Sequence, residues 1–146
     1  MAISAESPTD RVEQLIALTE RLTDLLAAET RAYEAHRPHE AAAAAQETVR
    51  MANVYRHESL RVKKDTSLLA EAPEALRTRL LEATRTFEAT LARHAAAVGA
   101  ALTVTEGIVR AVAEEVAASR KSAAGYGRAG KAAPAASAPL ALNKRA

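Results

Sequence analysis

The chain contains no cysteine, and only four of its 146 residues are aromatic: Tyr33, Tyr55, Phe87 and Tyr126. Without thiols there are no disulfides, no cysteine-based zinc sites and no thiol catalysis, which fits a reducing compartment. Runs of β-branched and aromatic residues alternating with period 2 are missing as well, so strands have almost no support. No charge-free window approaches the 18 apolar residues of a membrane-spanning segment. The acidic residues Glu6, Asp10 and Glu13 stand where a secretory leader would carry its positive region. These absences leave a soluble, cytoplasmic, all-α protein with one folded unit as the expectation.

What is present is alanine, leucine, valine and charge, the composition of long helices and coiled coils. A sequence pI near 9.1 points at first to nucleic acid, but the charge is unevenly placed. Residues 119–146 carry six of the twenty Lys and Arg and none of the eighteen Asp and Glu, so this stretch is +6 and the body before it −4. An acidic body repels phosphate, and the cations beyond it are spread out without interleaved aromatics. No specific nucleic-acid site is expected.

The first helix start lies at Ser7-Pro8-Thr9-Asp10, where Ser7 caps, Pro8 takes the first helical position and Asp10 sits near the positive helix end. Val12, Leu15, Leu22, Leu26 and Tyr33 then recur at helical spacing, widened by Ile16 and Leu25. Pro38 removes a backbone donor and disfavours α conformation at Arg37, so the pattern breaks there. A second helical stretch follows, with Ala42, Ala45, Val49, Ala52, Tyr55 or Arg56, and Leu60 along one side. Asp65-Thr66-Ser67 and Ala72-Pro73-Glu74 frame a turn. From Pro73 to about Ser122 no proline interrupts the pattern, and at 1.5 Å per residue such a helix extends roughly 75 Å. Its apolar stripe reads Leu76, Leu80, Phe87, Leu91, Val98, Leu102, Val109, Val112 and Val116.

The expected architecture is an elongated antiparallel bundle over residues 1–122, with helices at about 8–36, 39–66 and 73–122. A flexible Gly/Ala/Pro-rich basic tail follows at 123–146, too poor in large apolar side chains to bury a core. Helices of such unequal length cannot cover one another, so the third overhangs. Gly99 and Gly107, each costing about 1 kcal/mol relative to alanine inside a helix, mark its points of bending. The β-branched segment from Val98 to Val116 is its less strongly helical half.

Catalytic and cofactor motifs are not supported. Gly125-Tyr126-Gly127-Arg128-Ala129-Gly130 satisfies G-x-G-x-x-G literally, and the run to Lys131 imitates a phosphate loop until Ala132 stands where Ser or Thr belongs. A dinucleotide fingerprint needs a strand before it and a helix after it, whereas a helical pattern precedes this one and Pro134 follows. The stretch reads either as a turn-forming peptide that presents Tyr126 or as a linker. None of His36, His39, His57 and His94 has Asp or Glu three residues before it, and His36-x-x-His39 spans the break at Pro38, so no metal site is expected. Glu29, Glu34, Glu40 and Glu47 read as a solvated face with nearby arginines. No nucleophile is paired with a base, so the expectation is a protein without enzyme activity or cofactor.

Three elements together resemble the flagellar type III export chaperones of the FlgN kind, in divergent alphaproteobacterial form. They are Leu22-x-x-Leu25-Leu26-x-x-Glu29-x-x-x-Tyr33, a long helix ending near Ser119-Arg120-Lys121, and the segment Gly125 to Gly130 containing Tyr126. The resemblance implies a cytoplasmic chaperone of hook-filament junction proteins whose C-terminal helix grips amphipathic helices of the substrate. It also implies that Tyr126 docks the complex to the cytosolic domain of the export gate. The break at Pro38 and the extended Ala/Pro tail depart from that pattern. An unfilled stripe on an overhanging helix is itself a groove for another amphipathic helix, which makes Val98, Leu102, Val109, Val112 and Val116 the expected substrate-helix contacts. The same stripe suits a structural coiled-coil homo-oligomer or a regulator that sequesters a partner's helix, and the sequence does not separate these.

Overall fold

The computed structural model describes residues 3–126, and of Tyr126 the backbone alone. Five helices account for all regular structure among the described residues: α1 (Pro8–Glu34), α2 (Pro38–Ala42), α3 (Ala45–Lys64), α4 (Ser67–Ala70) and α5 (Glu74–Tyr126). The all-α expectation holds. The chain divides into two compact units, Met1–Thr105 and Glu106–Ala146, and α5 contributes residues to both.

Local chemistry sets the ends of α1. Ser7 Oγ accepts a hydrogen bond from the Asp10 backbone N–H at 3.1 Å, with Pro8 as the first helical residue. At the other end, the Arg37 N–H donates to the Ala32 carbonyl at 2.8 Å and the His36 N–H to the Tyr33 carbonyl at 3.0 Å, which is Schellman closure. His36 takes the left-handed position of that motif at φ 57°, where glycine is usual, and Pro38 then opens α2. The second helix expected from the sequence is therefore two: α2 stops at Ala42, and α3 begins at Ala45 without a side-chain cap.

In the first unit, Val12, Ile16 and Ala72 form one core cluster with Leu69, Leu76 and Leu80 packed against it. Leu22, Leu26 and Phe87 form a second, flanked by Met51 and Tyr55, and the Tyr55 and Phe87 rings lie 4.7 Å apart. Early residues of α1 meet early residues of α5 and later ones meet later, so these two helices run in the same direction. α3 runs against them, with Glu58 bonded to Arg11 near the start of α1 and Thr48 to Glu29 near its end.

The buried face of α3 is Thr48, Met51, Tyr55, Glu58 and Val62, at alternating spacings of three and four. This corrects the face expected from the sequence. Of the residues named there, Tyr55 alone turns inward with its neighbours, while Val49 and Leu60 are exposed, as are Ala42, Ala45, Ala52 and Arg56. Apolar size misled the reading because the inward face holds a carboxylate. Glu58 is fully buried, accepting from Arg11 Nη1 at 3.1 Å and from the Ile3 backbone N–H at 3.0 Å. Removing one partner of a buried pair strands the other charge, at about 3–5 kcal/mol. Glu29 is likewise buried and accepts from Thr48 Oγ1 at 2.5 Å, so it does not belong to the solvated face. Glu34, Glu40 and Glu47 do, paired with Arg93, Arg37 and Arg21.

Threonines also enter the core. Thr19 and Thr30 are almost wholly buried, and each donates its hydroxyl to the carbonyl four residues back at 2.7 Å. Their hydroxyls are satisfied within the helix, and their methyl groups are left to pack.

Candidate functional site: an exposed apolar face of α5

The inward face of α5 in the first unit passes through Leu76, Leu80, Phe87, His94, Ala97 and Ala101, all buried or half-buried. Side chains on it shrink from leucine and phenylalanine to alanine. The large apolar residues meanwhile move one position along the helix, because Leu91, Val98 and Leu102 each follow an inward position and all are exposed. The single stripe expected from the sequence is thus two faces offset by one residue, about 100° around the helix. The physical reason lies in α1, which ends at Glu34. Its last residues meet α5 at Arg93 and His94, where polar contacts replace apolar ones. Glu34 receives Arg93 Nε at 2.8 Å and Nη2 at 2.6 Å. His94 lies 3.2 Å from Thr30 Oγ1, 3.8 Å from a Glu29 oxygen and edge-on to Tyr33. The hydrogen bonds from Arg93 hold the Glu34 carboxyl below its ordinary value of 4.5 and raise the guanidinium's own pKa.

All five residues expected to contact a substrate helix are exposed. Val98 and Leu102, in the first unit, are 37% and 57% exposed, and Val109, Val112 and Val116, in the second, are 64%, 57% and 46% exposed. Val104 and Ile108 are exposed too, and the sequence reading had not singled them out. Every described side chain from Leu102 to Gly125 is exposed. A methyl group added at Gly99 or Gly107 would meet nothing within 4 Å, so neither glycine is held by close packing. These exposed apolar residues make this face the candidate site. The expected docking residue Tyr126 falls at the end of α5, and its side chain and residues 127–146 lie outside the described residues. The helix does run through 123–125, which the sequence reading had given to the tail.

A separate groove of about 420 Å³ opens in the first unit, lined by Leu15, Tyr55, Val62, Leu69 and Leu80 among others, with Lys63 and Arg77 adding positive charge. Among the described residues, no group of three or more His, Asp or Glu is placed to hold a metal ion.

No protein-family profile matches the chain, and no solved structure matches it. A curated protein does. The chain is 53% identical over 131 residues to the flagellar basal-body protein FlbY of Caulobacter vibrioides, covering 89% of this chain and 88% of that protein. The chain belongs to the FlbY family. Identity over nearly the whole length places the bundle and most of the exposed α5 face within the family's shared sequence.

α5 is also long and apolar. By length and composition it is one helix able to cross a membrane, with an 18-residue window of mean hydropathy 1.4, no more than two charged residues and no buried residue. The sequence criterion was a window free of charge, and here alanine and valine outweigh two charges. Such a window is also what an apolar protein-binding helix presents, so length and hydropathy do not choose between bilayer and protein.

Proposed function

We propose that this FlbY-family protein acts in flagellar biogenesis as a cytoplasmic, non-enzymatic export chaperone. Its exposed α5 face receives an amphipathic helix of a hook-filament junction protein, and Tyr126 docks the loaded complex to the cytosolic domain of the export gate. The observation that carries the reading is the exposed apolar series Val98, Leu102, Val109, Val112 and Val116 along α5, a helix whose earlier residues Leu76, Leu80 and Phe87 pack in the bundle core. Such a helix offers an apolar strip with the spacing of helix-in-groove recognition. The flagellar relative supports the setting, and the resemblance to chaperones of the FlgN kind supports the choice of cargo.

The test is a pull-down of hook-filament junction proteins with the wild-type chain and with Val109→Asp/Val112→Asp. Two carboxylates in an apolar interface have no paired cation and are costly to desolvate, so the variant should lose the cargo while keeping its helical circular dichroism and melting temperature. Capture of cargo at wild-type level by the variant would overturn the reading, as would no capture by the wild type. The docking half is checked by calorimetry of Tyr126→Ala against the export gate's cytosolic domain, with weaker association and unchanged cargo binding expected.

A further inference from the structure

The exposed face of α5 has a stricter period than cargo binding alone requires. Val98, Leu102, Thr105, Val109, Val112 and Val116 are spaced four, three, four, three and four residues apart. That is a heptad seam, with Leu102, Val109 and Val116 at a and Val98, Thr105 and Val112 at d, and Leu91 and Ala95 extend it by another heptad towards the N-terminus. The polar member does not spoil it, because Thr105 Oγ1 donates to the Ala101 carbonyl at 3.0 Å and leaves a methyl for the seam. The flanking positions Ala92, Gly99 and Ala113 are small and exposed and permit close approach of a second helix.

The charges beside the seam discriminate between partners. In a parallel, in-register pair, a g residue faces the e residue five positions further along the other helix. Glu115 is then opposite the partner's Arg120, twice by symmetry, and no like charges meet. The antiparallel register that overlaps the same seam fully sets Glu106 against the partner's Glu106. We propose that the exposed α5 face seats a second copy of this chain, parallel and in register, through the seam from Val98 to Val116. This rests on the same face as the proposed cargo site but not on the cargo's identity. If both hold, cargo and second copy compete for one surface.

The absence of native cysteine makes the test direct. Single variants Val109→Cys and Val116→Cys, at a, should give disulfide-linked dimers of the full chain on mild oxidation, whereas Glu114→Cys, at f, should not. In sedimentation equilibrium the wild type should exceed its monomer mass of 15.4 kDa. Glu115→Arg should weaken association about fivefold, and adding Arg120→Glu should restore it. A wild type that stays monomeric, equal cross-linking at position 114, or no rescue by the double variant would each overturn the proposal. Monomers that co-sediment with phosphatidylglycerol vesicles would assign the face to a bilayer instead. A monomer that captures junction proteins would sink this inference alone, and a cross-linking dimer that captures none would sink the cargo reading alone.

Discussion

The two parts of α5 have almost the same helix-forming alphabet and opposite surroundings. From Leu76 to His94 one face packs against α1, α3 and α4, and Phe87 is only 7% exposed. From Leu102 onward valine and isoleucine of similar bulk stand in water. The difference teaches that apolar character alone does not assign a residue to a core. Where α1 ends decides it, together with the one-residue shift that moves large side chains off the inward face. The covered part is stabilised by tertiary packing, and the bare part by helix propensity.

The sharpest break in that comparison is truncation on each side of it. Phe87→Ala should cost about 3–5 kcal/mol of unfolding free energy. Leu102→Ala, measured by denaturant titration at a dilution where the chain is monomeric, should stay within about 0.5 kcal/mol. Equal costs would mean that Leu102 belongs to the core. A smaller effect is expected from Gly107→Ala. Alanine meets no neighbour there and should favour the helix by about 1 kcal/mol, slowing amide exchange in the surrounding turns about fivefold while leaving the bundle's melting temperature alone.

The smallest effect is electrostatic and lies at the end of the covered region. The Glu34 pKa is lowered by Arg93, so the pair's contribution is complete above the ordinary carboxylate value of 4.5 and is lost as pH falls through the depressed folded value. Melting temperature should therefore decline less below pH 4.5 in Glu34→Gln than in the wild type. Both side chains are exposed, so salt should shrink the difference.

Much of the fold was legible in the residues. Ser7 and Pro8 announced α1, the Val12 to Tyr33 stripe gave its inward face, and Pro38 marked the break that follows. The gap at Ala43 and Ala44 carried no signal, since alanine favours helix and no breaker stands there. The inward face of α3 was misread because polar residues occupy it, although Thr48, Glu58 and Val62 at heptad spacing with Met51 and Tyr55 were a usable sign. The exposed α5 face was legible as apolar and periodic. Its offset from the inward face was not, because spacings of four and seven from Phe87 through Leu91 to Val98 conceal a drift that only the end of α1 makes visible.

The threonine at the centre of the seam has a consequence beyond packing. A hydroxyl folded back onto the carbonyl four residues earlier makes Thr105 present a methyl, as valine would. Rotation about one side-chain bond would return that hydroxyl to water. The surface therefore carries a residue compatible with two surroundings, wettable in water and apolar were a partner to cover it, with no backbone rearrangement between the two.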